Sequence, residues 1–157
     1  MKQLEGLQAP EFSLLNEKGE MVSLSDYKGK KNVILYFYPK DMTPGCTTEA
    51  CDFASAHEDF SDLDAVILGV SPDSEARHTK FIDKYELPFS LLVDTELEAA
   101  KAYDVWQLKK NFGKEYMGIV RSTFLINKEG IVQKEWRNVR VKDHVANVAK
   151  ELRGEEV

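Results

Sequence analysis

The chain runs Asn32-Val-Ile-Leu-Tyr-Phe-Tyr38 and then Pro39-Lys-Asp-Met-Thr-Pro-Gly45 before it reaches Cys46. The first segment is almost continuously apolar and rich in β-branched and aromatic residues, which is typical of a strand buried on both faces. The second segment contains the prolines and glycine of a loop. An amphipathic segment over residues 46–63 then predicts a helix. The order of strand, loop and helix indicates an α/β fold.

A second apolar run over residues 65–70 and an amphipathic segment over residues 74–85 repeat this order. Two strands joined through a helix predict βαβ units, in which the strands are parallel and the crossover is right-handed. Residues 89–93 predict a further short strand, and residues 96–103 predict a helix.

The C-terminal third begins with a polar stretch, residues 107–115, that interrupts the pattern. Residues 122–127 and 131–136 predict two strands of a β-hairpin, and Gly130 suits a left-handed position in the turn between them. Over residues 141–152 the apolar side chains have the spacing of a helix with one buried stripe, which predicts a helix there. We find no linker, so the prediction is one domain over residues 1–157.

Composition excludes several classes of function. The chain has 157 residues and a formal net charge of −6, whereas nucleic acid or an anionic membrane surface would require a basic face. No export signal or membrane-spanning segment is visible, so a cytoplasmic location is expected. Two cysteines are too few for a disulfide scaffold, and in a reducing compartment they indicate redox or catalytic use.

Cys46 is the candidate nucleophile. It is predicted at or just inside a helix N-terminus, where free backbone N–H groups and the helix dipole stabilise an anion. This position favours the thiolate, the reactive form of cysteine. The loop also follows the carboxyl end of a buried strand, the usual ligand position in α/β sheets.

Cys51 follows Cys46 by five residues. In an intact helix their Cα atoms lie roughly 8 to 9 Å apart and point in different directions, whereas a disulfide requires a separation of about 7 Å or less. A disulfide between them therefore requires the intervening turn to unwind. A buried structural role for either cysteine is the alternative. A zinc site is not indicated, because the two cysteines and three scattered histidines have no recognised ligand spacing.

The pattern of Pro39, Thr43 and Cys46, Pro-x-x-x-Thr-x-x-Cys, together with Arg121 in Val-Arg-Ser-Thr-Phe-Leu-Ile, resembles the active site of peroxiredoxins. Nearly the whole chain, from Gly6 onward, resembles the bacterioferritin-comigratory-protein (PrxQ-like) subfamily. The resemblance implies a thioredoxin-like fold, with a central mixed sheet flanked by helices. It also implies a peroxidase that needs no cofactor and no metal.

The same resemblance implies a role for each matching residue. Cys46 corresponds to the peroxidatic cysteine, and Cys51 to a resolving cysteine on the same helix. Thr43 corresponds to a hydrogen-bond donor to the peroxide, and Arg121 to a group that supports the thiolate and peroxide oxygens. Pro39 corresponds to a shield over the pocket, and Glu49 to an acid that orients the arginine.

The expected substrates are hydrogen peroxide and organic hydroperoxides, and the expected reductant is thioredoxin or a similar dithiol protein. The subfamily favours a monomer. Two rival functions stay open at this point. A thiol-disulfide oxidoreductase on the same fold would normally carry C-x-x-C, which is missing here. A redox-sensing or holdase-like binding module would show oxidation-dependent partner binding with little turnover.

Overall fold

A computed structural model describes residues 2–154. The strands are β1 (Ser13–Leu15), β2 (Met21–Ser23), β3 (Asn32–Phe37), β4 (Ala65–Ser71), β5 (Ser90–Val93), β6 (Trp106–Asn111), β7 (Lys114–Ile119), β8 (Ser122–Ile126) and β9 (Val132–Arg137). The helices are α1 (Pro44–Ser55), α2 (His57–Asp62), α3 (Glu75–Tyr85), α4 (Glu98–Ala102) and α5 (His144–Arg153). None of the helices described in this span has the length and apolar character needed to cross a membrane.

Five strands form the central sheet in the order β5-β4-β3-β8-β9. β3 and β5 are parallel to β4, whereas β8 is antiparallel to both β3 and β9. The predicted parallel unit and the predicted hairpin are therefore joined into one mixed sheet. Gly130 has a φ of 83°, which confirms the left-handed turn position between β8 and β9.

Two hydrophobic clusters cover the two faces of this sheet, and β3 contributes to both by alternation. Ile34, Tyr36 and Tyr38 face a cluster that includes residues of α1, α2, α3 and α5. Val33, Leu35 and Phe37 face a second cluster built with the N-terminal segment and α4. Because both faces of β3 are covered, its sequence is almost continuously apolar.

The predicted helix over residues 46–63 is in fact two helices. Ala56, with φ of −95° and ψ of 2°, ends α1 and begins α2. Phe53 and Phe60 are both buried on the same side of the sheet, seven residues apart. The apolar period therefore continues across the break, so periodicity could not reveal it.

The polar stretch over residues 107–115, for which no helix or strand was predicted, also forms regular structure. Asn111 pairs with Lys114 in an antiparallel β6–β7 hairpin, which leaves a two-residue turn. Both turn residues, Phe112 and Gly113, have positive φ, as such turns require. Most residues of this hairpin are exposed, so no hydrophobic alternation marks its strands. The short β1–β2 hairpin was not predicted either.

Candidate active site

The loop after β3 leads directly into α1 and places Cys46 in its first turn. Thr43 is the N-cap residue with extended backbone, and Pro44 occupies the first helical position, where its fixed φ suits the helix and its missing N–H costs nothing. The first helical hydrogen bond runs from the Thr47 N–H to the Thr43 carbonyl, at 2.8 Å. Cys46 is 1% exposed and lies where backbone N–H groups are free to stabilise an anion.

Sheet pairing brings Arg121 to Cys46 although 75 positions separate them. Ser122 pairs with Phe37, so Arg121 lies at the carboxyl end of β3, beside the loop that precedes α1. Its Nη2 donates to Cys46 Sγ at 3.2 Å. A Cβ on Gly45 would lie 3.2 Å from the same Nη2, so glycine at this position gives the guanidinium room to reach the sulfur.

Glu49 lies one turn after Cys46 and completes a three-residue cluster. Arg121 Nη1 donates to Glu49 Oε1 at 2.7 Å, and the Glu49 side chain is 0% exposed. Burial raises the pKa of Glu49 to about 7, although the Arg121 charge acts in the opposite direction. Burial alone would lower the pKa of Arg121, but the adjacent Glu49 and Cys46 raise it, so the guanidinium keeps its charge.

Thr43 and Pro39 lie at the edge of this cluster. The Thr43 hydroxyl donates to the Lys40 carbonyl at 2.9 Å. Pro39 and Arg121 line the same open cavity, of about 610 Å³. Its other walls come from β6 of the β6–β7 hairpin, from the residue before Arg121 and from the segment that follows β9, namely Gln107, Leu108, Lys109, Val120, Asn138 and Val139. The hairpin that the sequence did not predict therefore forms one wall of the approach to Arg121.

Cys51 lies on α1 with Cys46, and both thiols are free. Cys46 is buried, whereas Cys51 is half-buried. Because α1 is continuous from Pro44 to Ser55, the helical separation of roughly 8 to 9 Å applies to this pair. The turn between them must open before the sulfurs can bond.

Comparison with known proteins shows to which family this chain belongs. The AhpC/TSA family model matches residues 6–135. The chain belongs to the AhpC/TSA family. Peroxiredoxin Bcp of Bacillus subtilis is 66% identical over 148 residues, 94% of each chain. The structure of Xanthomonas campestris peroxiredoxin Q has a TM-score of 0.87 at 40% identity, covering 91% of this chain and 90% of that one.

These findings confirm the sequence-based recognition of a Bcp/PrxQ-type peroxiredoxin and its thioredoxin-like fold. Another Xanthomonas campestris structure, with a TM-score of 0.87 at 39% identity and coverage of 91% and 90%, concerns the alkyl peroxide reduction activity of the bacterioferritin comigratory protein. The protein is accordingly a peroxidase of this family. The roles of its individual residues stay predictions.

A buried polar network beside the peroxiredoxin site was not predicted. Asp41, in the loop before α1, accepts from Tyr38 at 2.5 Å and lies 2.6 Å from His78 Nδ1. His78 Nε2 donates to the Leu92 carbonyl at 2.8 Å. The Asp41 N–H donates to Asp73 at 2.7 Å. The network therefore ties the active-site loop to α3 and to the sheet.

Asp41, Asp73 and His78 place ligand-type atoms within 4.8 Å of one another. Arg77 supplies positive charge at this cluster, because its guanidinium donates to Asp73 at 3.0 Å and to the Asp41 carbonyl at 3.1 Å. Hydrogen bonds within the protein thus account for the cluster. The only sequence signals were an acid directly after the Tyr38-Pro-Lys segment and a histidine on the apolar stripe of α3.

Replacing His78 by alanine is expected to lower the free energy of unfolding by about 3 to 5 kcal/mol, because it leaves the buried Asp41 Oδ2 without its partner while Tyr38 still binds Oδ1. Urea denaturation followed by circular dichroism measures this loss. His57→Ala, at a half-buried position of α2, is the control, with an expected change within about 1 kcal/mol. Equal stability of the two variants would contradict a supporting role for the network.

Proposed function

We propose that this peroxiredoxin reduces hydroperoxides through Cys46, resolves the oxidised sulfur through Cys51 and is recycled by a thioredoxin-like dithiol protein. The observation that carries the proposal is the contact of 3.2 Å between Arg121 Nη2 and Cys46 Sγ, at a helix N-terminus. A guanidinium and free backbone N–H groups both favour a thiolate at this point.

The first step is attack of the Cys46 thiolate on the terminal oxygen of the hydroperoxide. A sulfur–oxygen bond forms and the oxygen–oxygen bond breaks, so the sulfur is oxidised to a sulfenic acid and the departing oxygen takes a proton to become water or an alcohol. Negative charge grows on that oxygen, and the fixed charge of Arg121 stabilises it. Thr43 supplies a hydroxyl for the peroxide once the hydroxyl turns away from Lys40.

The cavity beside Pro39 and Arg121 supports organic hydroperoxides as substrates in addition to hydrogen peroxide. Leu108, Val120 and Val139 give it apolar surface for an alkyl group. Alkyl peroxide reduction by the Xanthomonas campestris relative agrees with this substrate class.

The second step joins Cys51 to Cys46. The Cys51 sulfur attacks the Cys46 sulfur, a disulfide forms, and the sulfenic oxygen leaves as water. A dithiol protein then reduces this disulfide by thiol exchange. We further propose a single cytoplasmic domain that acts as a monomer. The resemblance to the subfamily supports the monomer, and the redox use of two cysteines suits a reducing compartment.

The decisive experiment is hydrogen peroxide consumption coupled to thioredoxin, thioredoxin reductase and NADPH. Sustained turnover at low protein concentration supports the proposal. A single oxidation followed by partner binding, without turnover, would support a redox sensor instead. Reduction of disulfide substrates without peroxide consumption would identify a thiol-disulfide oxidoreductase.

The variant Cys51→Ser is expected to form the Cys46 sulfenic acid at the wild-type rate but to make no intramolecular disulfide. Turnover with thioredoxin should fall by about tenfold or more, because the sulfenic acid then lacks its attacking partner. Trapping with dimedone and mass spectrometry measures the sulfenic acid. Full thioredoxin-dependent turnover would contradict the resolving role of Cys51.

A further inference from the structure

Two buried side-chain atoms among residues 2–154 have no hydrogen-bond partner, and both lie at the peroxidatic site. They are Glu49 Oε2 and the Tyr36 hydroxyl. Buried polar atoms are nearly always paired, so unpaired ones call for an explanation. In a dry interior an ionised carboxylate with one unpaired oxygen costs more than a protonated carboxyl does, because burial penalises the charged form.

The position of Glu49 along α1 is relevant to the second step of the reaction, the formation of the disulfide. It lies between Cys46 and Cys51 on α1, within the turn that must unwind before the two sulfurs can meet. In the helical state its side chain is 0% exposed. Unwinding of this turn would move the carboxyl towards water, where an ionised group regains its hydration.

The titratable and charged groups around Glu49 lie on α1, β3, β6 and α5 and in the segment before β8. Cys46 and Asp52 lie on α1 itself, and Arg121 lies just before β8. Tyr36 on β3 lies within electrostatic range of Glu49, Cys46 and Asp41, and Lys109 on β6 and His144 on α5 lie within electrostatic range of Arg121. Arg121 is the one cation among these that bonds Glu49 directly, and it reaches only Oε1.

We propose that Glu49 is a positioning residue for the resolving step: protonated, it holds the turn between the two cysteines helical, and ionised, it favours the unwound turn in which Cys51 reaches Cys46. This inference rests on the proposed function, since it concerns the disulfide step of that reaction. It assigns control of that step to a side chain that reacts with neither sulfur nor peroxide.

The direction of the pH effect follows from proton linkage. Burial raises the pKa of Glu49 from its ordinary 4.5 to about 7 in the helical turn, so the helical state binds the proton more tightly than the unwound state. The stabilisation of the helical turn is complete below pH 4.5 and is lost as the pH rises through 7. Unwinding, and with it disulfide formation, is therefore favoured at the upper end of this range.

The test compares wild type with Glu49→Gln, which keeps an oxygen for Arg121 but cannot ionise. Rapid-quench alkylation and mass spectrometry measure the rate of disulfide formation from the sulfenic acid. Ionisation of the attacking thiol affects both proteins equally and cancels in their ratio. The wild-type to variant ratio is expected to rise about 40-fold between pH 5 and pH 7.

Glu58→Gln is the matched control, since it makes the same substitution at an exposed position of α2. Its ratio to wild type should stay constant over this pH range. A ratio for Glu49→Gln that also stays within about twofold would overturn the inference. If that happens while peroxide turnover through both cysteines persists, the proposed function stands and only the role of Glu49 fails.

A second measurement needs no variant. Carbon-13 NMR titration of the glutamate carboxyls in wild-type protein follows Glu49 in the reduced and disulfide forms. We expect a midpoint near 7 in the reduced form and one near the ordinary 4.5 in the disulfide form. The same midpoint in both forms would also overturn the inference, because ionisation would then be unlinked from unwinding.

Discussion

Cys46→Ser is expected to lower thioredoxin-coupled peroxide turnover by about 10³-fold or more, to the background of the coupled assay. Serine is nearly isosteric with the buried thiol and leaves the Arg121 and Glu49 pair in place. Its hydroxyl is not ionised near neutrality, and its oxygen is a poor attacking atom for a peroxide. The variant therefore isolates the chemistry of the sulfur from the structure of the site.

The comparison with Cys51→Ser makes the Cys46 result specific. Both substitutions replace one sulfur on α1, but only the one at position 46 should abolish the first oxidation. Stopped-flow mixing with hydrogen peroxide under single-turnover conditions separates the two. Retained rapid oxidation in Cys46→Ser would refute the assignment of the nucleophile.

Arg121→Met is expected to slow sulfenic acid formation by about 100-fold or more. Methionine keeps much of the volume but removes the hydrogen bond to Cys46 Sγ and the charge that faces the departing oxygen. Loss of one preorganised donor costs about 100- to 1,000-fold in rate at comparable sites. The measurement is the second-order rate constant for oxidation by hydrogen peroxide at pH 7.

Arg140→Met, at an exposed position beyond β9, is the matched control and should retain the wild-type rate constant. A change within about threefold in Arg121→Met corresponds to less than about 1 kcal/mol of transition-state stabilisation. Such a result would leave the arginine without a catalytic role, whatever its contact with the sulfur.

Local patterns predicted the elements that form the covered sheet. The apolar runs that became β3 and β4 and the hairpin of β8 and β9 were all found, since burial of both faces or a turn glycine marks them. The β6–β7 hairpin was not predicted because its side chains are mostly exposed, so no hydrophobic pattern marks its strands. The break at Ala56 escaped because the apolar period passes through it.

The site was predictable to different depths. A helix N-terminus at Cys46 could be inferred from the Pro-Gly loop after a buried strand. The five-residue spacing to Cys51 showed that a disulfide between the two cysteines would require the helix to open. The role of Arg121 at the site could be predicted only from the resemblance to a family, because no local pattern relates residues 75 positions apart. The Asp41 and His78 pair had no pattern at all, since a buried hydrogen bond between a loop and α3 depends on the packing of both.

By itself the sequence determined the α/β class, the place of Cys46 at the start of a helix and the need for that helix to open before Cys51 can react. These properties depend on backbone geometry over a few residues. Only the tertiary structure decided which charge faces the sulfur, that Glu49 is sealed from water, and that β6 forms a wall of the cavity. Electrostatic and solvation energies depend on distances in space, and these arise only when the sheet pairs β3 with β8.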